Sequence, residues 1–128
     1  MAITRVGQIS IPVGDQQRAL DFYTQKLGWE LSADVPMGDD GRWIEVRIPG
    51  AETGLVLFAA DEHKSRIGTT SDIMFNTDDI EKTFAELTGQ DVEIAQPITT
   101  EFWGTFFMFK DPDGNTFLVA GTDSAQAA

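Results

Sequence analysis

Apolar residues recur along this chain in short runs that are bounded by glycine, proline or aspartate. Runs of this length with alternating or near-continuous apolar character are typical of β-strands. The pattern predicts eight strands, over residues 5–13, 29–35, 42–48, 54–59, 72–76, 91–95, 102–109 and 116–119.

Two aspartates mark the starts of helices. Asp15 follows the first strand and is predicted to cap a helix that runs to about Lys26, with Leu27-Gly28 as its end signal. Asp79 follows the fifth strand and is predicted to open a second helix that runs to about Leu87. Apolar residues lie at helical spacing after the first of these caps.

The order of elements occurs twice. The run 8–15 leads into residues 18–23, and sixty-four positions later the run 72–79 leads into residues 82–87. The sequence therefore predicts βαβββ twice, with repeat one at about 3–60, a connector at 61–70, repeat two at about 71–120 and a disordered tail at 121–128. Because a half of about 60 residues buries too little surface alone, we expect a single domain over 1–128 in which the halves pack together, within one chain or across two.

The segment 109–119 is the most characteristic local motif. Two apolar runs flank Asp111-Pro112-Asp113-Gly114-Asn115, which predicts a β-hairpin. We expect Gly114 and Asn115 to serve the turn by tolerating a positive φ, and we assign them no role in function.

The duplicated βαβββ unit, the ending Phe22-Tyr23 to Leu27-Gly28-Trp29 and the segment 111–115 resemble the vicinal oxygen chelate superfamily of glyoxalases, bleomycin-resistance proteins and extradiol dioxygenases. The resemblance covers residues 3–120. It implies an α+β fold in which two tandem modules form curved mixed sheets around a cleft, with the helices on the convex side. It also implies a homodimer, often with modules paired across subunits.

Enzymes of this family hold a divalent cation with one residue each from the first, fourth, fifth and eighth strands. The usual types are His or Gln, Glu, His, and Glu. The matching positions here are Gln8, Val56, Asp72 and Leu118. Since Val56 and Leu118 have no lone pair to donate, we expect no metal and no other cofactor. Glu45 on the neighbouring strand leaves open a displaced site of Gln8, Glu45 and Asp72.

Strand 42–48 predicts which side chains face the cleft. Ile44, Val46 and Ile48 form an apolar face for the helix, so Trp43, Glu45 and Arg47 share the other face. In strand 102–109 the repeat directs Phe106 and Met108 to the cleft and Phe107 and Phe109 to the core. The predicted ligand-binding residues are Gln8, Trp43, Glu45, Arg47, Asp72, Met74, Trp103, Phe106, Met108 and Leu118, with Asn76 as a further polar group. The alternative is that the apolar members only fill a collapsed pocket or a dimer seam.

No catalytic motif is present. The sequence has no nucleophile elbow, phosphate-binding loop, dinucleotide fingerprint or His-Glu-x-x-His run. The catalytic residues are therefore unknown, and a general acid or base would have to be Glu45 or Asp72. The single histidine, His63, lies in a charged connector and is expected to be solvated.

Composition excludes several classes of function. Nine basic and 21 acidic residues give a net charge of −12, so binding to nucleic acid or to an anionic membrane is disfavoured. The absence of cysteine excludes disulfides and thiolate chemistry. No apolar stretch approaches the ~20 residues of a membrane span, and no signal-peptide pattern opens the sequence, so we expect a cytoplasmic protein.

The leading hypothesis is a small-molecule-binding protein of the bleomycin-resistance type, without the usual metal, whose ligand is aromatic or amphipathic. One alternative is a metal-dependent lyase, isomerase or dioxygenase of the same superfamily with a displaced metal site. Another is a ligand-free interaction or regulatory dimer. Whether the chain is an enzyme stays open at this point, and the expected partners are a small molecule and a second copy of the chain.

Overall fold

Two units, Met1–Ile67 and Gly68–Ala128, make up the chain in the computed structural model, which describes residues 2–38, 41–59 and 61–122. The division falls inside the predicted connector at 61–70. Each unit contains one α-helix and one four-stranded sheet. The α+β class and the repeated βαβββ order follow the prediction from the sequence.

The first unit contains the elements β1 (Gln8–Pro12), α1 (Gln16–Asp21), a π-helical turn (Phe22–Lys26), β2 (Glu30–Pro36), β3 (Arg42–Arg47), β4 (Gly54–Phe58) and a 3₁₀-helix (Asp61–Arg66). The strand order in its sheet is β1-β4-β3-β2. β1 runs parallel to β4, and the other neighbours are antiparallel.

The second unit contains β5 (Thr70–Thr77), α2 (Ile80–Gly89), β6 (Ile94–Glu101), β7 (Gly104–Lys110) and β8 (Thr116–Gly121). The strand order is β5-β8-β7-β6, with the same single parallel pair at the first edge. The two sheets therefore share one topology, as the internal repeat predicts.

Both predicted helix caps are confirmed. The Asp15 carboxylate accepts a hydrogen bond from the Arg18 backbone N–H at 3.0 Å, and Asp79 accepts one from the Lys82 N–H at 3.0 Å. The first helix does not continue to Lys26 as an α-helix, because the backbone widens into the π-helical turn at Phe22.

Gln16 fixes the start of α1 to the sheet. Its amide nitrogen donates to the carbonyls of Arg42 at 2.6 Å and Leu57 at 2.9 Å, and its amide oxygen accepts from the Arg42 N–H at 3.2 Å. One side chain thus joins the helix to two strands. Arg42 also binds Asp34 on β2 through two hydrogen bonds, which hold the pKa of that carboxyl below its ordinary value.

The core of each unit lies between its helix and one face of its sheet. In the first unit the fully buried Tyr23 stacks on Trp29 with ring centroids 5.1 Å apart. In the second unit Phe84 of α2 meets Phe107 edge-on at 5.3 Å. Phe107 and Phe109 are buried, as predicted for the core side of β7, and Phe106 of the same strand is also only 9% exposed.

A buried polar clamp forms the turn between β7 and β8. Asp111 accepts hydrogen bonds from the backbone N–H groups of Asp113 at 3.0 Å and Asn115 at 2.9 Å. The Asn115 amide donates to Asp111 at 2.9 Å, and its oxygen accepts from the Gly68 N–H at 2.8 Å. Gly114 has φ +82°, as predicted. The expectation of a positive φ at Asn115 is wrong, because its side chain, not its backbone, makes the turn.

Several boundaries differ from the sequence prediction. A 3₁₀-helix occupies part of the predicted connector, to which the sequence assigns no element. Asp91 adopts φ +59° after α2, so β6 begins later than predicted, at Ile94, and runs to Glu101.

Phe102 and Trp103 form the turn before β7, and Phe102 is 99% exposed. Gly121, assigned to the tail, ends β8, and the tail prediction for 123–128 lies outside the described residues.

Within the part of the chain that the structure describes, no helix is long and apolar enough to cross a membrane.

We expect Asn115→Ala to lower the free energy of unfolding by about 1–3 kcal/mol, because it removes the acceptor of the Gly68 N–H and one donor to the buried Asp111 carboxylate. Urea unfolding followed by circular dichroism measures the change. Asn76→Ala, at an exposed position of β5, is the matched control and should change stability by less than about 0.5 kcal/mol. Equal losses in the two variants would show that the clamp is not important for stability.

Candidate functional site

Each sheet has a distal face, defined here as the face turned away from the helix of its own unit. In β3, Ile44 and Val46 are fully buried on the helix side. Because side chains alternate along a strand, Trp43, Glu45 and Arg47 lie on the distal face. This is the face that the sequence predicts for them.

Glu45 and Arg47 form an ion pair on this face. The Arg47 Nη2 donates to the Glu45 Oε2 at 3.0 Å, and its Nη1 donates to the Glu52 backbone carbonyl. The Glu45 side chain is only 8% exposed, whereas that of Arg47 is 33% exposed. A carboxylate removed from water needs such a charged partner. The two predicted ligand-binding residues therefore bind each other within one strand.

Gly54 provides the space for the Glu45 side chain. A Cβ atom at this glycine would lie 2.2 Å from Glu45 Oε2, 2.6 Å from its Cδ and 2.9 Å from its Cγ. The carboxylate therefore lies in the space that a side chain at position 54 would enter. No local pattern in the sequence indicates this contact, because it depends on the register between β3 and β4.

An aromatic group lies at the other end of the same face. Phe58 ends β4 on the distal side, since its neighbour Leu57 is fully buried on the helix side. The His63 ring contacts Phe58 with centroids 5.2 Å apart. Glu45 pairs with Val56, and continuing this antiparallel register places Trp43 opposite Phe58. The prediction of a solvated His63 is therefore wrong, because the half-buried ring contacts Phe58.

The first distal face therefore changes in character along the strands. Trp43 and Phe58 lie at one end. Arg47 lies at the other end, beside Gly54 of β4, which pairs with Gln8 of β1. At about 3.3 Å per residue, the backbones of Trp43 and Arg47 are about 13 Å apart. A planar apolar group and a polar group on one small molecule can span this distance.

The second distal face is more apolar. Its strand register aligns Met74, Leu118 and Met108 in one row, which ends at Gln96 on β6. In the next row Phe106 stacks on Trp103, with ring centroids 5.0 Å apart and planes at 24°. Met74 is 58% exposed. The five apolar site residues that the sequence predicts for this unit are therefore neighbours.

The two polar candidates of β5 lie at exposed positions. Asp72 lies between Thr70 and Met74, where the pairing of β5 with β8 shifts its register. Asn76 pairs with Ala120 of β8. Of the two carboxylates proposed as a general acid or base, Glu45 belongs to the first unit and Asp72 to the second.

The positions that match the family's metal ligands do not fit a divalent cation. Val56 is 1% exposed between Ser10 and Glu45, and Leu118 lies between Met74 and Met108. Both side chains are hydrocarbon. Glu45, the candidate for a displaced ligand, already accepts a hydrogen bond from Arg47. Among the described residues, no group of three or more His, Cys, Asp or Glu side chains is arranged to hold a metal.

Comparison with known proteins identifies the family. The model of the Glyoxalase/Bleomycin resistance protein/Dioxygenase superfamily matches residues 5–119. The chain belongs to this superfamily, which confirms the resemblance drawn from the repeat and the segment 111–115.

Three relatives illustrate the relationship. The chain is similar to YetH of Bacillus subtilis (strain 168), an uncharacterized protein, with 40% identity over 91% of this chain and 98% of YetH. A superfamily member from Sphaerobacter thermophilus DSM 20745 has 31% identity and a TM-score of 0.86, covering 94% of this chain and 99% of its own. TnmS3 from Streptomyces sp. CB03234, described as an antibiotic binding protein, has 36% identity and a TM-score of 0.80, covering 94% and 98%.

We expect Gly54→Ala to displace the Glu45 side chain and to lower the free energy of unfolding by about 1–3 kcal/mol, because the added Cβ overlaps three of its atoms. Gly7→Ala is the matched control, since a Cβ there meets nothing within 4 Å. Urea unfolding of both variants measures the difference.

A double-mutant cycle then assigns the loss to Glu45. If the overlap is the cause, Gly54→Ala should cost much less in a Glu45→Ala background. A cost that is the same in both backgrounds would contradict the proposed contact.

Proposed function

We propose that this member of the superfamily is a small-molecule-binding protein that takes an aromatic or amphipathic ligand on the distal face of its first sheet, without a divalent metal. The observation that carries the proposal is the composition of that face: Trp43 and Phe58 at one end, and an ion pair of the buried Glu45 with the half-buried Arg47 at the other. Small-molecule sites usually combine apolar walls with a few fixed polar groups in this way.

Apolar contact would supply most of the affinity for such a ligand. Apolar surface contributes about 25 cal/mol per Å² when it is removed from water, so an aromatic ligand gains most of its affinity from Trp43 and Phe58. The charged pair contributes orientation, because an Arg47 guanidinium held by Glu45 and by the Glu52 carbonyl loses little freedom on binding.

The second distal face supplies a further apolar surface. Met74, Met108 and Leu118 offer flexible thioether and aliphatic groups, and Trp103 with Phe106 offers stacked rings. Methionine side chains adapt to irregular apolar ligands. We propose these five residues and Asp72 as ligand-binding residues of the second unit, and Gln8 as a further one of the first unit.

The similarity to TnmS3 supports the same class of function. That protein is described as an antibiotic binding protein, and it shares 36% of its aligned residues with this chain. Hydrocarbon side chains at Val56 and Leu118 also favour binding over metal-assisted catalysis, since a catalytic cation needs about three protein donors.

We further propose a cytoplasmic homodimer with no nucleic-acid or membrane partner. The net charge of −12 disfavours phosphate-rich partners. Large apolar side chains exposed on the single chain favour self-association; they are Ile3, Val6, Leu31, Val35, Met37, Met74 and Phe102.

Sedimentation equilibrium tests the proposed assembly. We expect a mass of twice 14.1 kDa at micromolar concentration. A mass of one chain at every concentration up to the solubility limit would contradict the homodimer.

A thermal-shift screen with aromatic and amphipathic compounds tests the ligand. A compound present at 100 times its Kd should stabilise the fold by about 2.7 kcal/mol. We expect Trp43→Ala to weaken the affinity for any hit by about tenfold or more through lost apolar contact, and Trp43→Phe to retain most of it. If Trp43→Ala bound every hit as tightly as the parent protein, the assignment of this face would be wrong.

A further inference from the structure

We infer that the ligand carries an uncharged hydrogen-bond acceptor, such as a carbonyl oxygen, about 13 Å or less from its aromatic part, and that Arg47 donates to this acceptor. The inference rests on the proposed function and adds the chemical class of the ligand. It follows from the donors, the charge and the placement of the Glu45–Arg47 pair.

Arg47 has donor capacity beyond its contacts within the protein. A guanidinium carries five N–H groups in one plane. One hydrogen bond goes to the Glu45 carboxylate and one to the Glu52 carbonyl. A third of the Arg47 side chain is exposed, so N–H groups can reach a ligand. Because both contacts fix the plane of the guanidinium, the remaining donors are held in place before a ligand arrives.

The charge of the pair selects against ions. The Glu45 carboxylate, 3.0 Å from Arg47, cancels the positive charge of the guanidinium. An anionic ligand would lose its hydration on binding and would meet no net positive charge at the pair. The net charge of the chain, −12, would also repel it. A cationic ligand would approach Arg47 and would find the Glu45 oxygen buried and bonded.

Gly54 leaves room for this arrangement. Glu45 lies in the space that a Cβ of residue 54 would fill, and its carboxylate accepts the hydrogen bond from Arg47 there. An uncharged acceptor gains a charge-assisted hydrogen bond from Arg47 at a small desolvation cost. The pair therefore favours a carbonyl over a carboxylate or an ammonium group.

Three probes of equal aromatic size test the inference: naphthalene-carboxamide, naphthalene-carboxylate and naphthylmethyl-ammonium. Their Kd values are measured on the full chain by nuclear magnetic resonance titration at neutral pH and fixed ionic strength, following the amide signals of β3 and β4. We expect the carboxamide to bind about tenfold more tightly than either ion.

Two arginine variants locate the donor. Arg47→Met should weaken carboxamide binding about tenfold. Arg18→Met removes the same charge from exposed α1, on the helix side of the same sheet, and should leave the Kd unchanged. An unchanged Kd in Arg47→Met, with the fold confirmed by its amide spectrum, would overturn the inference.

Glu45→Gln tests the role of charge cancellation. This variant keeps the size of the side chain and one acceptor oxygen but leaves the charge of Arg47 uncompensated. The carboxylate probe should then bind more tightly than the carboxamide, reversing the order in the parent protein. If the order did not reverse in the folded variant, charge cancellation by Glu45 would be refuted.

The result also separates this inference from the proposed function. Tightest binding of the carboxylate or ammonium probe to the parent protein would overturn the neutral-acceptor class and leave the ligand face standing. If no probe moves the β3 and β4 signals, the inference fails, and the thermal-shift screen decides independently whether the face binds any ligand.

Discussion

The arrangement of side chains on the distal face of the first sheet depends on one buried carboxylate. Glu45 is almost fully removed from water, and an ion in that position is stable only with a charged partner and enough space. Arg47 provides the partner from the same strand, and Gly54 provides the space from the neighbouring strand. The order of residues in β3, the glycine at the start of β4 and the polar end of the distal face all follow from this one requirement.

The two units show how one topology supports two kinds of surface. Their strand orders are the same, and each begins its helix with an aspartate cap. Their distal faces differ: the first combines a charged pair with aromatic rings, and the second consists mainly of methionine, leucine and stacked aromatic side chains. The fold thus fixes where side chains point, and the side chains determine what each face can bind.

Features that depend on neighbours in the sequence could be predicted. Asp15 and Asp79 are caps because a carboxylate satisfies backbone N–H groups within the next turn. The duplicated order predicts the strand topology, and alternation predicts the faces of β3. In β7, where both faces are apolar, the repeat correctly directs Phe107 to the helix, and its contact with Phe84 shows the reason.

Features that depend on pairing between distant residues could not be predicted. The contact of Glu45 with Gly54 needs the register of β3 against β4, and the anchoring of α1 by Gln16 needs two strands at once. The hydrogen bond from Gly68 to Asn115 joins residues 47 positions apart. The late start of β6 follows from the left-handed backbone at Asp91. Aspartate also occurs at many positions with a negative φ, so the residue type alone does not predict this conformation.

We propose that hydrocarbon side chains at positions 56 and 118 replace two metal ligands of the superfamily, so that this chain binds its ligand without a divalent cation. Mass spectrometry of the metal content tests this proposal. Untagged protein is purified without chelator, incubated with Mn²⁺, Fe²⁺, Ni²⁺ and Zn²⁺, and freed of unbound ions before measurement. We expect close to no bound metal per chain, whereas a tightly held ion in near-equal ratio to the chain would show that a metal site exists.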